Sequence, residues 1–414
     1  MLILRNKKII NSFLRFYDNK ISVLLTKNLS YASGILTSFL NAVILWPLIL
    51  KKFGPVSSAY IILVMTLASL ISPILCFGSN ATLTNIVKNS SRNQKLSYLN
   101  FSQIISCMGV IVSSLLWLKT NRFLEILALG LALSSVACLQ SILRGLEDVL
   151  RYSLLTLTGQ TIIPLFVLQF LTDFESSRFI QVQAILISTT SYLLSIYNKN
   201  FFLKKPENLL ILIKKSLPFA PYIIETLLLL NIGKLGIAIF FSPRDVSEFQ
   251  IPSVIGGGVL TATFLILPVI FHSFYVTNST EMHNRFAKTK NISRRILLFS
   301  PLLLFVYPVT YWLTPLDFSP SKSALTSLIL STCALLIVIS EPYQVLFILE
   351  EKGFYLFLSS SIAIVSAVIA IKFLPFDAQI NASLSSILGY GVRFICIRFL
   401  FIYSNYVKSE EKND

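Results

Sequence analysis

Five ionisable side chains sit where the sequence is otherwise apolar: Glu225, Lys234, Glu341, Arg393 and Arg398. A charge in such surroundings is expensive unless it has a partner, faces water or serves a ligand. Lys234 and Arg393 lie furthest from the ends of their apolar runs. A guanidinium donates two parallel hydrogen bonds to phosphate oxygens, and an ammonium acts as a compact point charge. Together they would line a cationic cavity for an anionic, phosphate-bearing ligand. Glu225 is a candidate for the same cavity and for carrying a coupled proton. The rival reading is structural: Glu225 or Glu341 pairs with Arg393, and Arg398 snorkels to the headgroups. Asn41, Gln140, Gln160 and Asn231 are uncharged polar residues within apolar runs, as are Thr161 and Gln344. Sugars are bound by such amide and hydroxyl groups, and the same groups tie packed helices together.

The elements that must position these residues are read from the apolar runs. The chain has 414 residues, 54% hydrophobic and 13% charged, with a mean hydropathy of +0.74. A soluble domain of this size needs more polar surface. The runs are continuous and reach the ~20 residues a helix needs to cross ~30 Å of hydrocarbon. Transmembrane barrel strands are shorter and alternate in polarity, so helices are the expected spanning element. Spans are expected at roughly 31–50, 56–77, 98–118, 123–143, 153–172, 179–198, 216–241, 250–275, 296–314, 323–348, 354–374 and 381–403. The fold class is therefore an all-α integral membrane protein of about twelve helices. Pro47, Pro73, Pro164, Pro268, Pro308 and Pro342 fall inside spans, where each removes a backbone hydrogen bond and favours a kink.

The net charge of +16 would suggest nucleic acid in a soluble protein. Here the basic residues lie between apolar runs and report topology instead. With the N-terminus inside, 24 of the 35 Lys and Arg fall in inside segments and 8 on the outer side, seven in loops and Lys372 at the outer end of its span. That bias satisfies the positive-inside rule and places both termini in the cytoplasm of a bacterial inner-membrane, multi-pass protein. Residues 1–28 form a basic cytoplasmic leader or an interfacial helix. Residues 199–215 form a cytoplasmic linker, and 404–414 a cytoplasmic tail. The five cysteines all fall in apolar runs without metal-ligand spacing and read as small core residues. With two histidines, no glycine-rich phosphate loop and no extramembrane domain, no enzyme constellation, metal site, cofactor or nucleic-acid partner is expected.

A weak internal repeat joins the halves. Lys52 to Tyr60 connects the first two spans, and Phe241 to Phe249 connects the seventh and eighth; each has a turn with Pro and Ser before an aromatic residue. Six spans separate the copies, so the halves, 29–198 and 216–403, share one orientation in the membrane.

These turns also carry a resemblance. Phe53-Gly54-Pro55, with Val56 to Tyr60 after it, resembles the turn after the first helix of polysaccharide flippases. Gly78-Ser79-Asn80-Ala81 is similar to their segment after the second helix. Gln140 to Gly145 is similar to the end of their fourth, and Lys214-Lys215-Ser216-Leu217-Pro218-Phe219 to the entry of their seventh. The chain thus resembles the O-antigen, Wzx-type members of the multidrug/oligosaccharidyl-lipid/polysaccharide exporter superfamily over essentially its whole length. One departure is Asn231-Ile232-Gly233-Lys234, where many members carry an Asp-Arg pair. The resemblance implies a MATE-like fold of two six-helix lobes around a central cavity. It implies a flippase that moves undecaprenyl-pyrophosphate-linked oligosaccharide across the inner membrane by alternating access, for surface polysaccharide such as O-antigen. Membrane lipids and polysaccharide polymerase or chain-length proteins are the implied partners. The alternatives are a small-molecule exporter of the same superfamily and an O-antigen polymerase. A polymerase needs a sizeable periplasmic loop, and the outside loops here have eight residues or fewer.

Overall fold

The computed structural model describes residues 33–34, 36–88, 90–117, 121–170, 175–196, 209–217, 220–270, 282–314, 318–349 and 352–410. The expected leader at 1–28 and most of the linker lie outside these residues. The helices are α1 (36–53), α2 (55–75), α3 (Ser79–Lys88), α4 (Arg92–Leu115), α5 (Arg122–Gly145), α6 (Val149–Phe170) and α7 (Ser176–Ser195). After them come α8 (Leu209–Ser216), α9 (Ala220–Phe240), α10 (Pro243–Ile270), α11 (282–313), α12 (Pro320–Leu349), α13 (Gly353–Phe373) and α14 (Ala378–Glu410).

Residues Leu36–Leu75 form one apolar helical run of 40 residues. At 1.5 Å per residue a straight run would reach ~60 Å, twice the hydrocarbon thickness. Gly54 prevents that by adopting φ 72°, a conformation that glycine takes without steric penalty. The Ser58 hydroxyl donates to the Ile49 carbonyl at 3.3 Å, across nine residues that a straight helix would hold ~13 Å apart. The chain therefore doubles back into α1 and α2. Nine helical runs among the described residues are long and apolar enough to cross a membrane. Counting the folded run twice and adding α7 and α10, of 20 and 28 residues, gives the twelve long helices expected.

Helix starts follow from capping chemistry. At α4 the Ser91 hydroxyl accepts from the Gln94 N–H and the Gln94 side chain accepts from the Ser91 N–H, a reciprocal capping box. Asn121 caps α5 by accepting from Phe123 N–H at 2.9 Å, and Asp148 caps α6. At the far end α14 continues to Glu410, so residues expected as tail extend the last helix instead.

In the first half α5 packs against α2, α4 and α7 around Ile61, Ala128, Leu129, Phe179 and Ile187. In the second half α9, α12, α13 and α14 pack around Leu229, Cys333, Ile337, Ala363 and Tyr390. Small residues permit close approach: a Cβ on Gly145 would lie 2.8 Å from the Thr84 carbonyl. Cys76, Cys138 and Cys333 are buried, and all five cysteines are thiols. The halves meet where α1 and α2 face α9 and α10. There the two repeat turns touch, with the Ser247 hydroxyl donating to the Pro55 carbonyl. By contrast α11 exposes Leu298, Phe299, Leu302, Phe305 and Trp312, an apolar surface suited to lipid.

Candidate transport cavity

Two features of the first half shape the part of α1 that lines a cavity. Residues Asn41–Leu45 of α1 and Thr158–Ile162 of α6 are π-helical turns. In both, one residue separates the turn from a proline: Trp46 then Pro47, and Ile163 then Pro164. Proline has no N–H and its ring crowds the carbonyl four residues back, so the regular ladder opens to a wider turn. The Trp46 N–H instead reaches Asn41 O, and the Ile163 N–H reaches Thr158 O. The two π turns face each other, and the Thr161 hydroxyl donates to Asn41 Oδ1 at 2.9 Å. The prolines that the sequence marks as kinks are here the cause of a paired widening.

The second half supplies the facing wall from α9, α10, α12 and α14. Between the walls lies a cavity of about 260 Å³. Ser38, Asn41, Trp46, Thr66 and Ser69 line it from α1 and α2. Asn231 and Lys234 line it from α9, with Gln250, Ser253, Gly257 and Gly258 from α10. Leu330 of α12 and Ser386 of α14 close the lining. Lys234 is the only charged residue among the described residues lining the cavity. Its ammonium makes no ion pair or hydrogen bond among the described residues. Asn231 Nδ2 donates to Leu227 O at 3.0 Å, which leaves its Oδ1 as the free end. Gln250 is 1% exposed, and its buried Oε1 accepts no hydrogen bond among the described residues.

Of the candidate residues, the structure thus brings Lys234, Asn41 and Asn231 together. Arg393 and Glu225 lie elsewhere, in a polar cluster inside the second half. Arg393 is 2% exposed and donates from Nη2 to Gln344 Oε1 at 3.2 Å. Gln344 in turn donates to the Ser340 hydroxyl at 2.8 Å. Glu225 Oε1 accepts from the Ser361 hydroxyl at 2.5 Å, and Arg393 is near enough for its charge to act on Glu225. This arrangement is the structural alternative to a cavity role for Arg393. Gln140 donates to the Thr156 hydroxyl at 2.9 Å, joining α5 to α6, and Gln160 is exposed on the π turn of α6. Arg398 is exposed on α14.

Sequence reasoning passes over Gln250 and Glu125. Glu125 is 2% exposed in the first turn of α5, where its carboxylate accepts from the Tyr60 and Ser177 hydroxyls. It ties α2, α5 and α7 together beside a cleft that Arg122 also lines. Its position just past the Asn121 cap makes it look like a helix boundary. Gln250 falls at the edge of an apolar run, and no spacing rule singles it out. No group of metal-ligating side chains occurs among the described residues.

No family model matches the sequence, and no curated protein matches it. Comparison of the fold with solved structures is different. An outward-facing multidrug resistance MATE family transporter of the MOP superfamily aligns over 94% of this chain and 96% of its own, with a TM-score of 0.58 at 13% identity. A MATE structure in complex with MaL6 aligns over 95% and 97%, with a TM-score of 0.59 at 13% identity. This chain has the MATE fold. An inward-facing member aligns as well, over 90% and 93%, with a TM-score of 0.55 at 14% identity. In the MATE fold two helical lobes enclose a cavity, and the space lined by Lys234 lies between the two halves of this chain.

Proposed function

We propose that the protein is an alternating-access exporter of the bacterial inner membrane whose cargo is an anionic, lipid-linked oligosaccharide, of the undecaprenyl-pyrophosphate class. One observation carries this reading. Among the described residues lining the inter-lobe cavity there is a single charge, the Lys234 ammonium, and no carboxylate. A lone buried cation is costly, and a substrate phosphate offsets that cost. An exporter of organic cations needs the opposite sign in its cavity, which disfavours the small-molecule alternative. The surrounding amides and hydroxyls of Asn41, Asn231, Gln250, Ser38 and Ser253 suit a polyhydroxylated head group. The 24-to-8 distribution of Lys and Arg supports both termini being cytoplasmic. Arg393, Glu225 and Gln140 then support the lobes that carry the cavity.

Deletion of the gene in its native host tests this. Lipid-linked units should accumulate on the cytoplasmic leaflet while surface polymer disappears. Normal delivery of single units to the periplasm, with only chain extension lost, would replace this reading with a polymerase.

A further inference from the structure

We propose that Thr161 is a positioning residue that fixes Asn41 as a hydrogen-bond donor, so that the anionic group is clamped between Asn41 of the first half and Lys234 of the second. The inference rests on the anionic-cargo reading and deepens it by assigning the first-half side of the site. A carboxamide has two faces, one accepting through oxygen and one donating through NH2. The Thr161 hydroxyl, 1% exposed, donates to Asn41 Oδ1 at 2.9 Å and so occupies the accepting face. Asn41 makes no other side-chain hydrogen bond among the described residues, and it lines the cavity. The donating face is therefore the one available to a ligand.

The backbone builds this arrangement from both sides. Asn41 opens the π turn of α1, and Thr161 sits within the π turn of α6. Each turn lies two residues before a proline that prevents the ordinary helical ladder. The same local device, used twice, brings the hydroxyl of one helix to the amide of the other. A ligand held by Asn41 and Lys234 at once would also bridge the halves, so its binding free energy would favour the conformation in which they approach. An anion meets this geometry from both sides: an ammonium gives charge, and a carboxamide NH2 gives a charge-assisted hydrogen bond.

Three substitutions separate positioning from simple helix stapling. Asn41→Asp keeps an oxygen for Thr161 to donate to and replaces the NH2 by a negative oxygen. Thr161→Val keeps the branched shape and removes the donor, and Thr161→Ser keeps the donor. The full-length protein in lipid nanodiscs would be titrated with undecaprenyl pyrophosphate, and with uncharged undecaprenol as the control for the lipid tail. Asn41→Asp should weaken pyrophosphate binding by about 10- to 100-fold, the range for a lost hydrogen bond to a charged group. Thr161→Val should weaken it by about 2- to 10-fold, and Thr161→Ser should restore it. Undecaprenol binding and thermal unfolding of Asn41→Asp should match the wild type. If Asn41→Asp binds pyrophosphate as the wild type does, Asn41 only staples α1 to α6 and the proposal is overturned. A fall in thermal stability of Thr161→Val at unchanged affinity overturns it equally. If the wild type prefers undecaprenol or binds neither lipid, the anionic-cargo reading falls, and this inference falls with it.

Discussion

Replacing Arg393 by methionine should cost folding stability more than it costs transport chemistry. Arg393 is almost fully buried in the second half, hydrogen-bonded to Gln344 and electrostatically linked to Glu225. Methionine keeps most of the volume, so the main loss is charge. Glu225 is itself 7% exposed, and its Oε2 accepts no hydrogen bond, so the remaining carboxylate would lose its neighbouring cation. Losing that nearby charge together with the hydrogen bond to Gln344 should destabilise the protein by about 1–3 kcal/mol. Adding Glu225→Gln removes that charge while its side-chain amide can still meet the Ser361 hydroxyl. The double variant should therefore recover part of the loss, as expected for residues in one network. Thermal unfolding of the purified protein in detergent, with membrane abundance measured in parallel, reads both effects. If Arg393→Met unfolded like the wild type while transport vanished, Arg393 would belong to the substrate path, and the separation of the two sites would be wrong.

Gly54→Ala places a Cβ at φ 72°, where nothing lies within 4 Å, so strain acts without a clash. It should destabilise the protein by about 1–2 kcal/mol, visible as a lower unfolding temperature. Reporter fusions at Asn198 and Lys288 should read cytoplasmic and one at Ser319 periplasmic; a periplasmic signal at Lys288 would invert the topology.

Much of the architecture is legible in the sequence because lipid imposes it. Each span must satisfy its own backbone and present apolar side chains, so run length alone locates helices. The Gly54-Pro55 turn is legible for the same reason: a 40-residue run cannot stay straight in a bilayer. Depth along a helix is legible too, which is why Lys234, Asn41 and Asn231 stand out in the sequence and are found in one cavity. The direction a residue faces is not. Helices such as α14 are apolar on most sides, so nothing in the pattern tells whether Arg393 faces the cavity or the core of its own half. Only the packing of α12, α13 and α14 decides that. The π turns are half legible. Pro47 and Pro164 signal broken ladders, but their matched offsets gain meaning only when α1 and α6 lie side by side.

The proposed export requires the Lys234 ammonium to hold an anionic cargo between the halves. Purified protein in proteoliposomes puts that dependence to the test, by following the appearance of a pyrophosphate-linked glycolipid in the opposite leaflet. Lys234→Arg should retain a measurable part of the wild-type rate, because the charge is kept. Lys234→Ala should abolish the transfer while inserting and accumulating normally. Transfer by Lys234→Ala at the wild-type rate would contradict that role for the ammonium.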